Sequence, residues 1–152
     1  MATIKPNELS KYLKNRVNDA NKKTFKKWQT RAKKEIKVEM LEYISKGKSP
    51  VEGEGNYEKY SDSYKKQIRK SLSKKYGKKI RPVNLKLTGA MLKSLKSRAT
   101  IKGISVWFSS KIAKYHNGDG RVRRALLPRD NERFNRPIRN KLADIYIKLF
   151  KL

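Results

Sequence analysis

Apolar positions in the first third of the chain recur every three or four residues: Leu9, Leu13, Val17, Ala20, Thr24, Trp28, Ala32, Ile36, Met40 and Tyr43. That spacing holds them on one stripe while Lys and Arg crowd the other faces, and it predicts one helix from about Glu8 to about Lys46. Asn7, after Pro6, is placed to cap the first turn. Gly47 is placed to end the last turn in the left-handed conformation that glycine tolerates. Nearly forty residues in a helix span roughly 55–60 Å, longer than a small domain is wide. Such a helix either breaks, near Asn18 to Asn21, or projects and packs against another subunit.

The pattern changes abruptly after Ser49. The run Ser49-Pro50-Val51-Glu52-Gly53-Glu54-Gly55-Asn56 mixes proline, glycines and acids, and predicts a loop to about Tyr60 that is locally negative in a basic chain. Ser61 then stands as an N-cap for a second helix through Tyr64, Ile68 and Leu72, ending at Gly77. Pro82 sets an extended connection. Thr88 caps a short third helix through Ala90, Met91, Leu92 and Leu95. Ala99, Ile101, Ile104, Val106 and Phe108 shift to a period of two and predict a hairpin turning at Lys102-Gly103. A helical turn or loop follows over Ile112 to Gly118, then a mobile Gly120 to Arg124 stretch. Ala125 to Pro128 reads as a short edge strand, and a last helix runs from about Arg133 to Phe150. The fold class expected is α+β, a small antiparallel sheet with flanking helices and a long basic N-terminal helix. Residues 1–48 form a basic amphipathic extension and residues 49–152 the α+β domain.

Charge alters this picture more than any motif does. Forty-one Lys and Arg against thirteen Asp and Glu leave a net charge of +28 on 152 residues. Self-repulsion at that density opposes a compact free monomer, so an anionic neighbour is expected: nucleic acid, an acidic protein face or a membrane surface. Basic clusters such as Lys22-Lys23, Lys26-Lys27 and Lys74-Lys75 occur throughout the chain outside the Ser49–Tyr60 loop. Arginine concentrates in the last thirty residues, and its planar fork suits phosphates and carboxylates. Arg121, Arg123, Arg124, Arg129 and Arg133 are therefore the candidates for contact with an anion or DNA. No helix-turn-helix spacing, zinc finger or RNA-recognition motif stands out, so any DNA binding is expected to be non-specific and salt-sensitive.

Catalytic and metal chemistry find little support. The chain has no cysteine, which removes disulfides, thiolate metal sites and sulfur nucleophiles. Its single histidine, His116, rules out a multi-histidine metal site within one chain. The acids Asp119, Asp130 and Glu132 stand among arginines and are expected to pair with them rather than with magnesium. His116 has no nucleophile or acid in a recognisable relation to it and reads as a structural residue. No run of eighteen apolar residues occurs, so no membrane-spanning helix is expected. Met1 to Lys5 lacks the features of a secretory signal, and synthesis in a cytoplasm is expected. Trp28, Trp107, Phe108, Phe134, Tyr146 and Phe150 are expected in the core. Tyr57, Tyr60 and Tyr64 anchor the acidic loop either to its own domain or to a neighbour.

Three segments, taken in order, carry a family resemblance. The first is Ser49-Pro50-Val51-x-Gly53-x-Gly55 with Tyr60-Ser61-x-Ser63-Tyr64. The second is Leu85-x-Leu87-Thr88-Gly89-x-Met91-Leu92-x-Ser94-Leu95. The third is Ala113-x-Tyr115-His116-Asn117-Gly118, followed by Arg124 to Leu127 and Pro128-Arg129. In order and spacing the chain resembles the virion-morphogenesis family, the neck or tail-completion proteins of tailed bacteriophages. The matches cover roughly residues 49–135. The histidine-to-glycine spacing is shorter here than in the family pattern, and the long basic helix lies outside it.

The resemblance implies a small, non-enzymatic α+β subunit that closes into a ring between portal and tail, on the path of DNA. Its partners would be other copies of itself and the neighbouring portal, neck and tail proteins. Non-specific DNA contact is possible, and no cofactor, membrane or small-molecule substrate is expected. The virion neck would be its location. Thr88 and Gly89 would cap the third helix, and Tyr115, His116 and Asn117 would tie the following loop to the sheet. A free, non-sequence-specific nucleic-acid-binding protein is the alternative from the charge alone.

Overall fold

A computed structural model describes residues 6–100, 103–119 and 122–150, and the side chains of the first helix from Asn18 onward. The fold is α+β. Helix α1 (Pro6–Ser45) is continuous for forty residues, with no break at Asn18 to Asn21. A loop leads to α2 (Asp62–Gln67), which continues through a π-helical turn (Ile68–Leu72) into α3 (Ser73–Tyr76). The short α4 (Ala90–Lys93) precedes an antiparallel hairpin of β1 (Leu95–Thr100) and β2 (Gly103–Phe108). Helix α5 (Lys111–Lys114) runs into an irregular turn over Tyr115–Asp119 that kinks at Gly118, and α6 (Arg136–Phe150) is the last helix.

Two apolar clusters make the core. Ile36 and Met40 of α1 meet Leu95 of β1 and Ile138 of α6 in one. Ile44, Tyr57, Tyr60, Ile68, Val83, Met91, Ala113 and Leu126 form the other, and Phe108 packs against both. Residues on the two sides of position 48 thus share a core, because the last four turns of α1 are its spine. The buried stripe of α1 runs Gln29, Ala32, Ile36, Met40 and Ile44. It departs from the sequence stripe at its ends: Ala20 is exposed and Tyr43 only half-buried, while Ile44 is fully buried. Leu9, Leu13 and Val17 lie outside the described side chains.

The expected stops act as such. Gly47 adopts φ 75°, and a Cβ there would lie 3.0 Å from Cβ of Pro82, so only glycine fits. Ser61 caps α2 by accepting the Tyr64 amide N–H at 3.4 Å, and Gly77 ends α3 in the left-handed region. Thr88 Oγ1 accepts the Ala90 N–H at 3.2 Å, beside Gly89 at φ 84°.

Several expectations need correction. Leu95 begins β1 and does not continue α4, because its side chain is needed in the α1–α6 cluster. Thr100 pairs with Gly103 at the end of the ladder, and the expected turn falls on Ile101 and Lys102, which lie outside the described residues. Ala125 to Pro128 is no strand: the Leu126 and Leu127 amides donate to the Asn117 side chain in place of a ladder. Helix α6 starts at Arg136, three residues later than Arg133, because Val51 and Phe134 form a bridge that keeps the chain extended there. Trp107 is 38% exposed on the outer face of the hairpin and is not a core residue, and Tyr146 is also exposed. The Phe150 side chain lies outside the described residues.

The acidic loop belongs to its own domain. Ser49, Pro50, Val51, Tyr57 and Tyr60 are buried. Ser49 Oγ donates to the Ala125 carbonyl at 2.8 Å, and Asn135 Nδ2 donates to the Ser49 carbonyl at 2.7 Å. Asn135 N–H reaches the Pro50 carbonyl at 2.9 Å, and Glu52 N–H reaches the Arg133 carbonyl at 2.9 Å. The loop and residues 125–135 thus brace each other in place of sheet structure, satisfying backbone groups that burial would otherwise penalise.

Candidate polyanion interface

Carboxylates on the described surface are largely spoken for. Eight of the chain's thirteen acids (Asp19, Glu35, Glu39, Glu42, Glu52, Glu54, Asp62 and Glu132) are in ion pairs with six basic side chains. Lys141 of α6 bridges Glu35 and Glu39 of α1 at 2.9 and 2.6 Å, which joins the two helices and holds the ammonium above its usual range. Most of the other described basic side chains are in no ion pair among the described residues. Among the described residues, no group of three or more His, Asp or Glu is placed to hold a metal ion.

The arginine candidates divide sharply. Arg123 is engaged internally: its Nη2 donates to both carboxylate oxygens of Glu132 at 2.8 Å, and its Nη1 meets Glu54 at 2.6 Å. This ties the acidic loop to the segment before α6. Glu132 also accepts the Arg129 amide at 2.9 Å, and that bond and Arg123 lower its carboxyl from the usual range. Arg129 donates from Nη2 to the Asn117 carbonyl at 2.8 Å, across Gly118, where φ is 148°. A Cβ on Gly118 would overlap the Arg129 guanidinium. Arg133 is exposed, and Arg121 lies outside the described residues.

Arg124 belongs to a cationic cluster around Tyr60. Its guanidinium lies 5.7 Å from the Tyr60 ring centroid, and the Lys78 ammonium lies 5.0 Å from the same ring. Lys78 is only 4% exposed and donates to Asn84 Oδ1 at 3.0 Å and to the Lys86 carbonyl at 2.6 Å. Both acceptors are neutral, so burial, followed by the Arg124 charge, pulls its pKa down to about 8. His116 is likewise lowered by burial, then by Arg124 and Lys78. Tyr60 stacks edge-on against Tyr64 at 5.0 Å, and burial raises its phenol. The Leu85 backbone approaches the buried Tyr60 hydroxyl without completing a hydrogen bond of ordinary geometry. These cations are packed inside the fold, against neutral partners.

The third sequence motif does structural work at different contacts from those expected. Tyr115 is 67% exposed, and its side chain makes no hydrogen bond to the sheet among the described residues. The His116 carbonyl accepts the Arg124 N–H at 2.6 Å. Asn117 Oδ1 accepts two amides, from Leu126 at 2.8 Å and Leu127 at 3.0 Å. The motif therefore anchors residues 124–127, which the sheet does not reach. Leu87 is exposed, Gly53 forms an exposed turn at φ 85°, and Leu92 and Pro128 are partly buried.

The cations that face solvent together lie elsewhere. Residues 18–23 of α1 are exposed on every side, so the helix has left the core by Lys23. Where it departs, a groove of about 990 Å³ opens between α1 and the hairpin tip, lined by Lys22, Phe25, Lys26, Gln29, Arg98 and Ile104 among others. Gln29 forms its end wall, donating from Nε2 to the Thr100 and Gly103 carbonyls at 2.6 and 2.8 Å. Phe25 stacks on Trp28 at 5.4 Å, and Trp28 Nε1 donates to the Leu142 carbonyl at 2.9 Å. Beyond the groove, the outer hairpin face carries Lys96 opposite Trp107 and Arg98 opposite Ser105, all four exposed.

Sequence reasoning missed Gln29, Arg98 and Trp107 in these roles. Gln29 carried a signal, an amide on the stripe of Phe25, Ala32 and Ile36. The hairpin face carried one too, because its alternation sets Lys96, Arg98, Ser105 and Trp107 on the side away from Leu95 and Val106. Comparison of the chain with protein-family models, curated proteins and solved structures gave no match.

Proposed function

We propose that this chain is a non-enzymatic structural subunit of the head–tail neck of a tailed-phage virion. It would assemble in a ring between portal and tail, where its surplus cations meet polyanionic or acidic neighbours. The observation that carries this reading is a forty-residue helix that outruns its own core, exposed on all sides where it leaves. A helix built this way presents surface to another molecule, and repulsion among its cations is relieved by an anionic one. Assembly contacts fall to α1, because Pro50, Val51, Tyr57 and Tyr60 are occupied within the chain. The order of the motifs in residues 49–135 supports the phage assignment, and Asn117, Thr88 and Gly89 hold the local geometry those motifs need.

Electron microscopy of the purified chain, alone and with portal protein, together with mass spectrometry of virus particles, tests the proposal. Closed rings, and copies of the chain at the head–tail junction, are expected. A monodisperse monomer absent from particles would overturn it. A free nucleic-acid-binding protein is the second reading, favoured by the cation-lined groove, and predicts DNA binding by a monomer without ring formation.

A further inference from the structure

We infer that the groove between α1 and the hairpin tip, continued over the outer hairpin face, binds an unpaired nucleic-acid strand. Lys22, Lys26 and Arg98 would hold its phosphates, and Trp107 would stack on a base. The inference rests on the polyanion-binding part of the proposed function and not on the ring.

Four features converge on it. First, Lys22 and Lys26 stand one helical turn apart, about 5–6 Å between Cβ atoms, comparable to the separation of successive phosphates along a strand. Arg98 lies on the opposite wall of the groove. Second, none of the described lining residues is acidic, and Asp19 approaches Lys22 only at 4.0 Å with both groups exposed. Third, the lining sets apolar and aromatic side chains, Phe25, Ala99 and Ile104, among the cations. Phosphates on cations and bases on aromatic faces is the arrangement that binds single strands without reading sequence. Fourth, Trp107 is 38% exposed beside its exposed cross-strand partner Lys96, on the hairpin face that also exposes Arg98 and Ser105. A duplex buries its bases and cannot use such a platform. A second copy of the chain is a poor occupant, because most of its carboxylates are already paired. Whole-chain charge favours nucleic acid over an acidic protein face, since nucleic acid supplies an anion at every nucleotide.

The test is fluorescence titration of the full chain with labelled oligothymidylate, with the matching duplex and with polyglutamate, across a salt series. Binding should quench tryptophan emission, and Trp107→Phe should abolish most of the quench, since Trp28 is half-buried and hydrogen-bonded. Trp107→Ala should weaken single-strand binding roughly 5- to 150-fold, with Trp107→Phe much milder. Reversing Lys22, Lys26 and Arg98 to Glu should reduce the log–log salt slope by about 2 units. Reversing the exposed Lys74 and Lys75 is the control for general charge, and circular dichroism checks each fold. Equal losses from the control, indifference to Trp107, or tighter binding of duplex or polyglutamate overturns this inference and leaves polyanion binding standing. Failure to bind any of the three polyanions overturns both.

Discussion

Asn117 offers the sharpest test of how the middle of the chain is held. Its Oδ1 accepts amides from Leu126 and Leu127, and Leu126 is fully buried in the larger core cluster. Asn117→Ala leaves the Leu126 amide in the core without an acceptor, costing about 1–3 kcal/mol. The Leu127 amide is only partly buried, so water recovers some of its loss and the net cost is about 0.5–1.5 kcal/mol. The sum, about 1.5–4.5 kcal/mol, is a large share of the roughly 5–15 kcal/mol that holds a typical domain. Asn117→Asp keeps the acceptor oxygen that takes both amides and strengthens it with charge, so it should lose less than about 1 kcal/mol at neutral pH. Urea denaturation with a fixed m-value measures both, and Tm should fall roughly 5–15 °C for the alanine variant. If alanine costs under about 0.5 kcal/mol, or aspartate costs as much as alanine, Asn117 is not the anchor.

Gly118→Ala must hold an L-residue at φ 148° and displace the Arg129 guanidinium from the Asn117 carbonyl, so a loss of about 2–3 kcal/mol is expected in the same assay. Adding Arg129→Ala should recover none of the backbone part. Arg123→Ala breaks the half-buried links to Glu54 and Glu132, and a loss of about 1–2 kcal/mol is expected with DNA affinity nearly unchanged. Lys78 is lowered from 10.5 to about 8 in the fold, so the unfolded chain binds more protons between those values. Its contribution to stability is therefore fully present above pH 10.5 and lost as pH falls to 8. Chemical denaturation from pH 8 to 10.5 should show a rise in the native chain that is absent in Lys78→Met.

Much of the helical framework was legible because period and punctuation agreed. The span of α1, the Ser61 cap and the stops at Gly47 and Gly77 follow from local geometry that each residue imposes on its own backbone. The hairpin was legible for the same reason, since a period of two leaves few alternatives. What escaped was set by distant partners. Leu95 fits the i, i+3 spacing of a helix with Leu92, but the α1–α6 cluster claims it for a strand. Ala125 to Pro128 has the composition of an edge strand, but a single side-chain oxygen, Asn117 Oδ1, accepts two of its amides in place of the ladder. Arg123 looks like a free cation in sequence, and only the fold brings Glu54 and Glu132 to it from opposite directions. The groove was illegible because α1 and the hairpin meet there across some seventy positions of chain.

The anchoring of α1 by its C-terminal half makes the whole element a lever. From Trp28, pinned to Leu142, to Pro6 the helix runs about 33 Å, so a tilt of ten degrees at that end moves the tip by about 6 Å. Gln29, clasping the hairpin tip, sits at the fulcrum, and the groove opens beside it. Whatever lodges there lies where the smallest displacement steers the arm furthest.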